Sequence, residues 1–315
     1  MEYRKQSNQT TRKEFILLGL TDEPRQQIAL FWLFLAIYMI AVGGNAVISI
    51  LVLSDSKLHT PMYFFLVNLS ILDICMTTVI VPKMLYCLIT GEKTISFHVC
   101  IVQLYCFAFL VSTEFFLLAV MAIDRYVAIC HPFRYANFMS TRICTTLAAS
   151  SWGFSFFHSL LHTVLISNLS FCGPYQLQQF FCDIPPLLKL SCSDTTTNEL
   201  LILTESSLCT LVAVMTVIVS YVRIIYTILN MATKEGRRRA FSTCVSHLTV
   251  VTLYYGTLVF NYIRPTSSYS LKKDKVMTVM YTIVAPMVNP FIYSLRNKQV
   301  KEALRSQFHK LQRQR

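Results

Sequence analysis

Seven stretches of the chain are apolar around their whole circumference, and polar segments separate them. They run from about Ile28 to Leu53, Pro61 to Ile89, Cys100 to Ile129, Ile143 to Ile166, Leu200 to Leu229, Phe241 to Ile263 and Val276 to Leu295. A helix crossing the hydrocarbon of a bilayer needs about 20 mostly apolar residues. None of the seven runs shows the two-residue alternation of a membrane β-barrel. The pattern predicts an all-α membrane protein, a seven-transmembrane helix bundle over residues 28–295 with terminal segments 1–27 and 296–315. Residues 1–26 lack an apolar run after their basic residues, so they do not read as a cleavable signal peptide. The first span is expected to act as its own insertion signal.

Composition supports this reading. Of the 315 residues, 54% are hydrophobic and 14% charged, and the mean hydropathy is +0.50. A soluble domain carries about 25% charged residues. The deficit argues against a soluble enzyme, a nucleic-acid-binding domain and a disordered chain. In a membrane protein the net charge of +12 first poses the question of sidedness.

Seven spans put the termini on opposite sides, and Lys and Arg in short loops decide which. The side holding loops 54–60, 130–142 and 230–240 and the tail, with Asp124, Arg125 and Arg223 at span ends, carries a net charge of +12, the opposite side +3, and the span interiors −3 from Asp73, Glu114 and Glu205. The positive side is therefore read as cytoplasmic and the N-terminus as extracellular. Two signs agree. Asn8-Gln9-Thr10 is a glycosylation acceptor that works on the lumenal side. Asn68-Leu69-Ser70 lies mid-span and is expected to stay unmodified, and Asn168-Leu169-Ser170 lies close to the membrane. Four of the eleven cysteines, Cys100, Cys172, Cys182 and Cys192, fall on the outer side, where disulfides form. Four cysteines allow three pairings, and spacing does not choose among them.

Charges inside a membrane are functional suspects by default. Met121-Ala-Ile-Asp124-Arg125-Tyr126-Val-Ala-Ile-Cys130 closes the third span. The second opens Leu58-His-Thr-Pro-Met-Tyr-Phe-Phe-Leu66 and holds Asn68, Ser70 and Asp73. The fifth ends with Ser220-Tyr221 and Ile224, and the sixth opens Arg239-Ala-Phe-Ser-Thr-Cys-Val-Ser-His247. The seventh holds Pro286-Met-Val-Asn289-Pro290-Phe-Ile-Tyr293-Ser-Leu-Arg-Asn297, and the first holds Gly44-Asn45. Together, over about residues 15–310, this set resembles the olfactory receptors, a branch of the rhodopsin-like (class A) G-protein-coupled receptors. The chain departs from the usual family pattern at Ile123, Arg239 and Tyr254, where the family usually has Tyr, Lys and Phe.

The resemblance implies disulfides Cys100–Cys182 and Cys172–Cys192, the second inside a long outer loop that forms a lid. It implies that Asp124 holds Arg125 in the resting state, beside Tyr126. On activation Arg125 turns toward Tyr221 and the G protein, with Tyr221 and Tyr293 closing the inner end. Asp73 and Glu114, with Asn45 and Asn289 at matching depth, resemble a sodium site that stabilises the resting state. A proton on one carboxyl is the other way to relieve two buried acids. Pro286 and Pro290 kink the seventh span or hinge it. No other cofactor is implied.

By resemblance, a ligand pocket lies beneath the lid. Leu104, Phe107, Ala108, Val111 and Ser112 line it from span three, and Ser206 and Cys209 from span five. Span six adds Tyr255, Leu258, Val259 and Tyr262, and span seven Val279 and Thr282. Such a wall suits a small, mostly apolar molecule oriented by one or two hydroxyls, here from Ser112, Tyr262, Tyr255 and Thr282. Leu104 to Ser112 contains no acid, which argues against an aminergic salt bridge, and Thr266 stands where an Arg would suit a carboxylate ligand. A neutral odorant is therefore expected. Glu205 leaves a question, since it could face the pocket, a headgroup or water.

His158 and His162 share a helix face, a spacing that suits a metal pair. No third ligand is evident from sequence, so they read as packing or hydrogen-bonding residues. Lys234, Arg237, Arg238 and Arg239 offer charge to anionic lipid and to a G protein. After Asn297, the recurrence of Val300, Leu304, Phe308 and Leu311 among basic residues predicts a short amphipathic helix on the membrane. The expected function is an odorant receptor that activates a stimulatory, olfactory-type heterotrimeric G protein and raises cyclic AMP. Its expected partners are a small-molecule odorant, that G protein and membrane lipid, with no nucleic acid. A rhodopsin-like receptor for a lipid, peptide or metabolite is the alternative. A transporter lacks its paired repeats here, a retinal protein its mid-span Lys, and an enzyme its assembled nucleophile or metal set.

Overall fold

A computed structural model of the chain describes residues 14–172, 175–262, 271–296 and 298–313, apart from the side chains at 239, 243, 259–262, 271–273, 294–296, 298 and 308–313. The acceptor Asn8 lies outside the described residues. Helices stand at all seven apolar runs. They are α1 (Pro24–Ser54), α2 (Pro61–Thr90), α3 (Phe97–Cys130), α4 (Thr141–Ser167), α5 (Thr196–Leu229) and α6 (Lys234–Tyr262). The last of the seven, α7, runs through Leu271–Val279, a π-helical turn Met280–Val284, and Ala285–Arg296. An eighth helix, α8 (Lys298–Arg313), follows. Among the described residues α1, α2, α3, α5 and the Asp274–Tyr293 part of α7 are long and apolar enough to cross a membrane.

Local chemistry sets the helix ends. Pro24 and Pro61 occupy first-turn positions, where the missing N–H is no loss. The hydroxyls of Ser96 and Ser140 accept from the N–H groups of Val99 and Ile143, capping α3 and α4. Gly91 ends α2 at φ +73°, a left-handed conformation that glycine adopts without strain. The structure begins α6 at Lys234, not at Phe241. Hydropathy marks where the chain enters an apolar medium, whereas Lys, Glu, Arg and Ala prolong the helix on the polar side.

Burial is inverted relative to a soluble protein. Ile50, Phe157, Leu208 and Val222 project outward and are exposed, while Asn45, Asp73, Glu114, Asp124 and Asn289 are buried. This is the division a lipid-facing bundle requires.

At the outer end the structure adds an element that the hydrophobic pattern did not suggest. Strands β1 (Glu14–Leu17), β2 (Thr94–Ser96) and β3 (Gln176–Leu177) form a sheet in the order β2-β1-β3. Phe15 faces Ile95 across an antiparallel pair, and Ile16 lies beside Gln176 in a parallel one. Phe15 and Leu17 are buried in an outer cluster with Leu104, Ile166, Leu177 and Leu187. Lys83, near the end of α2, donates to the Thr94 carbonyl at 2.8 Å.

Candidate functional site

Disulfides hold the loop between α4 and α5 over the outer end. Cys100 on α3 is bonded to Cys182, and Cys172 to Cys192 within the loop. Gln103, one helical turn along α3 from Cys100, strengthens the first attachment. Its amide donates to the Val79 carbonyl of α2 at 3.0 Å, and its oxygen accepts from the Cys182 N–H at 3.0 Å. Gln179 reaches the Thr278 hydroxyl of α7 at 3.3 Å. The loop is thereby tied to α3 and α7, and α3 at that level to α2. Gln103 and Gln179 were not singled out in the sequence, since neither a Gln within an apolar span nor one in a polar loop carries a motif.

Beneath this lid Phe107 meets Phe181 edge to face, with centroids 4.6 Å apart. Leu104 and Phe107 are buried, and Ala108, Val111 and Ser112 are half-buried on the following turns of α3. Leu104 belongs to the cluster under the sheet. On α6, Tyr255 and Leu258 are buried. The Val259 and Tyr262 side chains lie outside the described residues. On α7, Val279 is half-buried and Thr282 buried. Two of the four expected orienting hydroxyls donate to backbone. Tyr255 donates to the Phe115 carbonyl at 2.6 Å, and Thr282 to the Thr278 carbonyl at 2.7 Å. Both can still accept.

Ser206 and Cys209 sit in different company. The Ser206 hydroxyl lies 3.3 Å from His162 Nε2, and Cys209 Sγ lies 3.7 Å from Glu205 Oε1. Glu205 itself meets α4, with Oε1 at 2.8 Å from His158 Nδ1 and Oε2 at 3.2 Å from His162 Nε2. Its place between pocket, headgroup and water is thus settled toward a fourth option, the two histidines. The ligating atoms of His158, His162 and Glu205 all lie within 4.8 Å of one another. The expectation that the histidine pair has no third potential ligand is therefore corrected. The carboxylate comes from another helix and was invisible to spacing.

Mid-membrane, Asn289 Nδ2 donates to both oxygens of Asp73, at 3.2 and 3.0 Å. Both carboxyl oxygens of Glu114 and the Asn289 Oδ1 are buried without a hydrogen-bond partner among the described residues. Buried orphans of this kind are rare. An all-oxygen set with unfilled lone pairs matches the chemistry of a hard cation, so these residues fit sodium. Asn45 has another task. It donates to the carbonyls of Ala41 at 3.0 Å and Pro286 at 2.9 Å. Pro290 has no N–H to give to the carbonyl four residues earlier, which is that of Pro286. Gly44 permits the approach, since a Cβ there would stand 3.2 Å from Pro290.

At the inner end, Asp124 and Arg125 are both buried. The guanidinium donates to Asp124 Oδ2 through Nε at 3.0 Å and through Nη2. The other carboxylate oxygen accepts from Tyr135 at 2.7 Å. Tyr135 opens a one-turn helix, Tyr135–Phe138, in the loop after α3. Burial and the Asp124 carboxylate push its phenol above the usual range. Tyr126 reaches His131 Nε2 at 3.1 Å. Tyr221 bonds to His247 Nδ1 at 2.7 Å, and His247 Nε2 donates to the Leu118 carbonyl at 3.2 Å. A carbonyl can only accept, so Nε2 carries the proton and Nδ1 accepts from Tyr221. Tyr293 is buried, and its hydroxyl lacks a partner among the described residues. Tyr135 and His247 are the residues that sequence reasoning passed over; His247 stood in a quoted motif without a role.

Beyond α7, Val300 and Ala303 of α8 are buried and Leu304 half-buried. Tyr63 of α2 donates to Gln299 at 2.9 Å.

A family profile described as olfactory receptor matches residues 34–310. Olfactory receptor 1G1 of Gorilla gorilla gorilla is 50% identical over 298 residues, covering 95% of each chain. Olfactory receptor 1M1 of Homo sapiens is 47% identical over 298 residues, again 95% of each. Olfactory receptor 5AP2 of Mus musculus is 49% identical over 302 residues, 96% of this chain and 95% of the relative. The match spans the helices, the disulfide-held loop and the buried polar levels alike, so this multi-pass membrane chain, which is a receptor and not an enzyme, belongs to the olfactory receptor family.

Proposed function

We propose that the chain is an odorant receptor of the plasma membrane, a seven-transmembrane bundle with its N-terminus outside and its tail in the cytoplasm. It binds a small, mostly apolar, neutral molecule under the lid and activates a stimulatory G protein, raising cyclic AMP. The observation that carries this reading is the Arg125 guanidinium, buried at the inner end with Asp124 as its partner, in a chain matching olfactory receptors across residues 34–310. Arg keeps its charge at any relevant pH. Its burial is stable only while the carboxylate stays, so the pair is a latch with a defined release.

Binding must favour one of two states. In the resting arrangement Asp124 restrains Arg125 and His247 restrains Tyr221. Activation frees both, letting Arg125 meet Tyr221 and the incoming helix of the G protein while Tyr293 fills the inner end. Asp73, Glu114 and Asn289 would hold sodium, whose charge offsets two buried carboxyls and favours rest. Charge sidedness supports the topology, and the basic start of α6 and α8 supports contact with anionic lipid and G protein.

A cyclic-AMP reporter in cells displaying the full chain tests the proposal against a panel of neutral odorants, amines and acids. Neutral molecules are expected to raise the signal. Silence to the whole panel at confirmed surface expression would remove stimulatory coupling, and responses confined to amines would remove the neutral-ligand reading.

A further inference from the structure

We propose that His158, His162 and Glu205 form a binding site for a divalent transition-metal ion of the zinc type, bridging α4 and α5 toward the outer side of the bundle. Two imidazoles and a carboxylate are a donor set that zinc accepts, usually leaving one position of its tetrahedron open. All three donors come within 4.8 Å of one another. The nitrogen–oxygen separations of 2.8 and 3.2 Å lie near those between donors sharing an ion at about 2.0–2.1 Å. Small rotamer changes are enough to enclose it.

Helix geometry makes the site. His158 and His162 are one turn apart on α4, and their rings stand 4.8 Å apart. Glu205 lies in a π-helical turn, Ile202–Ser206, at the start of α5. Such a turn inserts an extra residue and shifts the helix face, and it is frequent at functional sites. Here Glu205, Ser206 and Cys209 are drawn to the α4 seam. The histidines are mostly buried, while the Glu205 side chain is 32% exposed, giving the ion a way in.

Cys209 is not one of the three clustered donors, but it adjoins Glu205 and turns in to fill the open fourth position when the ion is bound. Its Sγ is 3.7 Å from Glu205 Oε1, and a metal-bound thiol gives up its proton. The thiol proton passes to water as the metal–sulfur bond forms. A dication, one carboxylate and one thiolate then sum to zero, the charge state that a low-dielectric surround tolerates best. Bridging two helices whose covalent connection is the long loop between them, the ion fixes α5 against α4.

The test uses the full-length receptor in lipid nanodiscs. Zinc alone, at one equivalent, is examined by X-ray absorption. Two imidazole nitrogens and one oxygen near 2.0–2.1 Å, with one sulfur near 2.3 Å, are expected. A shell of sulfurs without nitrogen, or six oxygens, overturns the site without recourse to any variant. Binding is then titrated with cobalt, displaced by zinc. His162→Gln and Glu205→Gln are each expected to weaken the affinity at least tenfold, and Cys209→Ser to abolish the thiolate charge-transfer band. Affinity unchanged within twofold in both His158→Gln and His162→Gln refutes the proposal.

Discussion

The side-chain amide of Asn45 donates to the carbonyl of Pro286 at 2.9 Å, supplying from α1 the hydrogen bond that Pro290 withholds within α7. The gap that Pro290 leaves in the α7 ladder is thus closed by a residue in another helix. Asn45→Ala leaves a buried carbonyl unsatisfied, which costs about 1–3 kcal/mol. The expected result is a lower Tm for the purified receptor, read by thermal unfolding in nanodiscs. An unchanged Tm would show that α7 does not need this bond from α1.

Tyr135 donates to Asp124 on the side opposite Arg125 and so stabilises the carboxylate that latches it. A hydrogen bond to a charged group is worth about 1.5–3 kcal/mol, and part of that biases rest against activity. Tyr135→Phe is expected to raise basal cyclic AMP severalfold at matched surface expression. Asp124→Asn removes the latch and is expected to raise it further, and a flat response from both would separate the pair from activation.

Tyr221 is held by His247 at rest. Tyr221→Phe breaks this bond and also deletes the hydroxyl that Arg125 is proposed to meet on activation. The maximal response to a strong ligand is expected to fall by about tenfold, corresponding to about 1.4 kcal/mol, with half-maximal concentration shifting much less. Concentration–response curves separate the two effects, and a shift in potency alone contradicts this role.

Sodium dependence tests the mid-membrane set. Replacing sodium with an equal concentration of N-methylglucamine is expected to raise basal nucleotide exchange in wild-type membranes. Asp73→Asn and Glu114→Gln are expected to remove that response. If both variants keep the wild-type sodium response, the orphaned oxygens of Glu114 and Asn289 serve something other than sodium.

Much of this architecture was legible in the sequence because bilayers impose a length and polarity rule on each span. The Asp124–Arg125 pair was equally legible, since its partners adjoin in the chain. What escaped was non-local. The outer sheet joins Phe15, Ile95 and Gln176 through pairings of two to three residues, too short to show alternation. Glu205 finds its histidines 43 and 47 positions away, and the π-helical turn that aims it has no signature in an apolar run. Ser206 and Cys209 were placed in the pocket by resemblance, which gave no sign of their contacts with His162 and Glu205. Tyr254 looked like a neutral departure from the family pattern, yet its added hydroxyl donates to the Val111 carbonyl at 2.9 Å.

That bond and the adjacent one from Tyr255 fasten α6 to α3 at one level and the His247 bond to the Leu118 carbonyl at a second, while the helix continues inward without a proline to Lys234. With the His247 bonds released, the arm inward of these two phenols is about 30 Å long at ~1.5 Å per residue, so a tilt of about 10° would carry its basic end through about 5 Å. A contact made in the outer half thereby becomes a large stroke at the opposite face. The gain of this amplifier is fixed by where the two tyrosines sit along the rod.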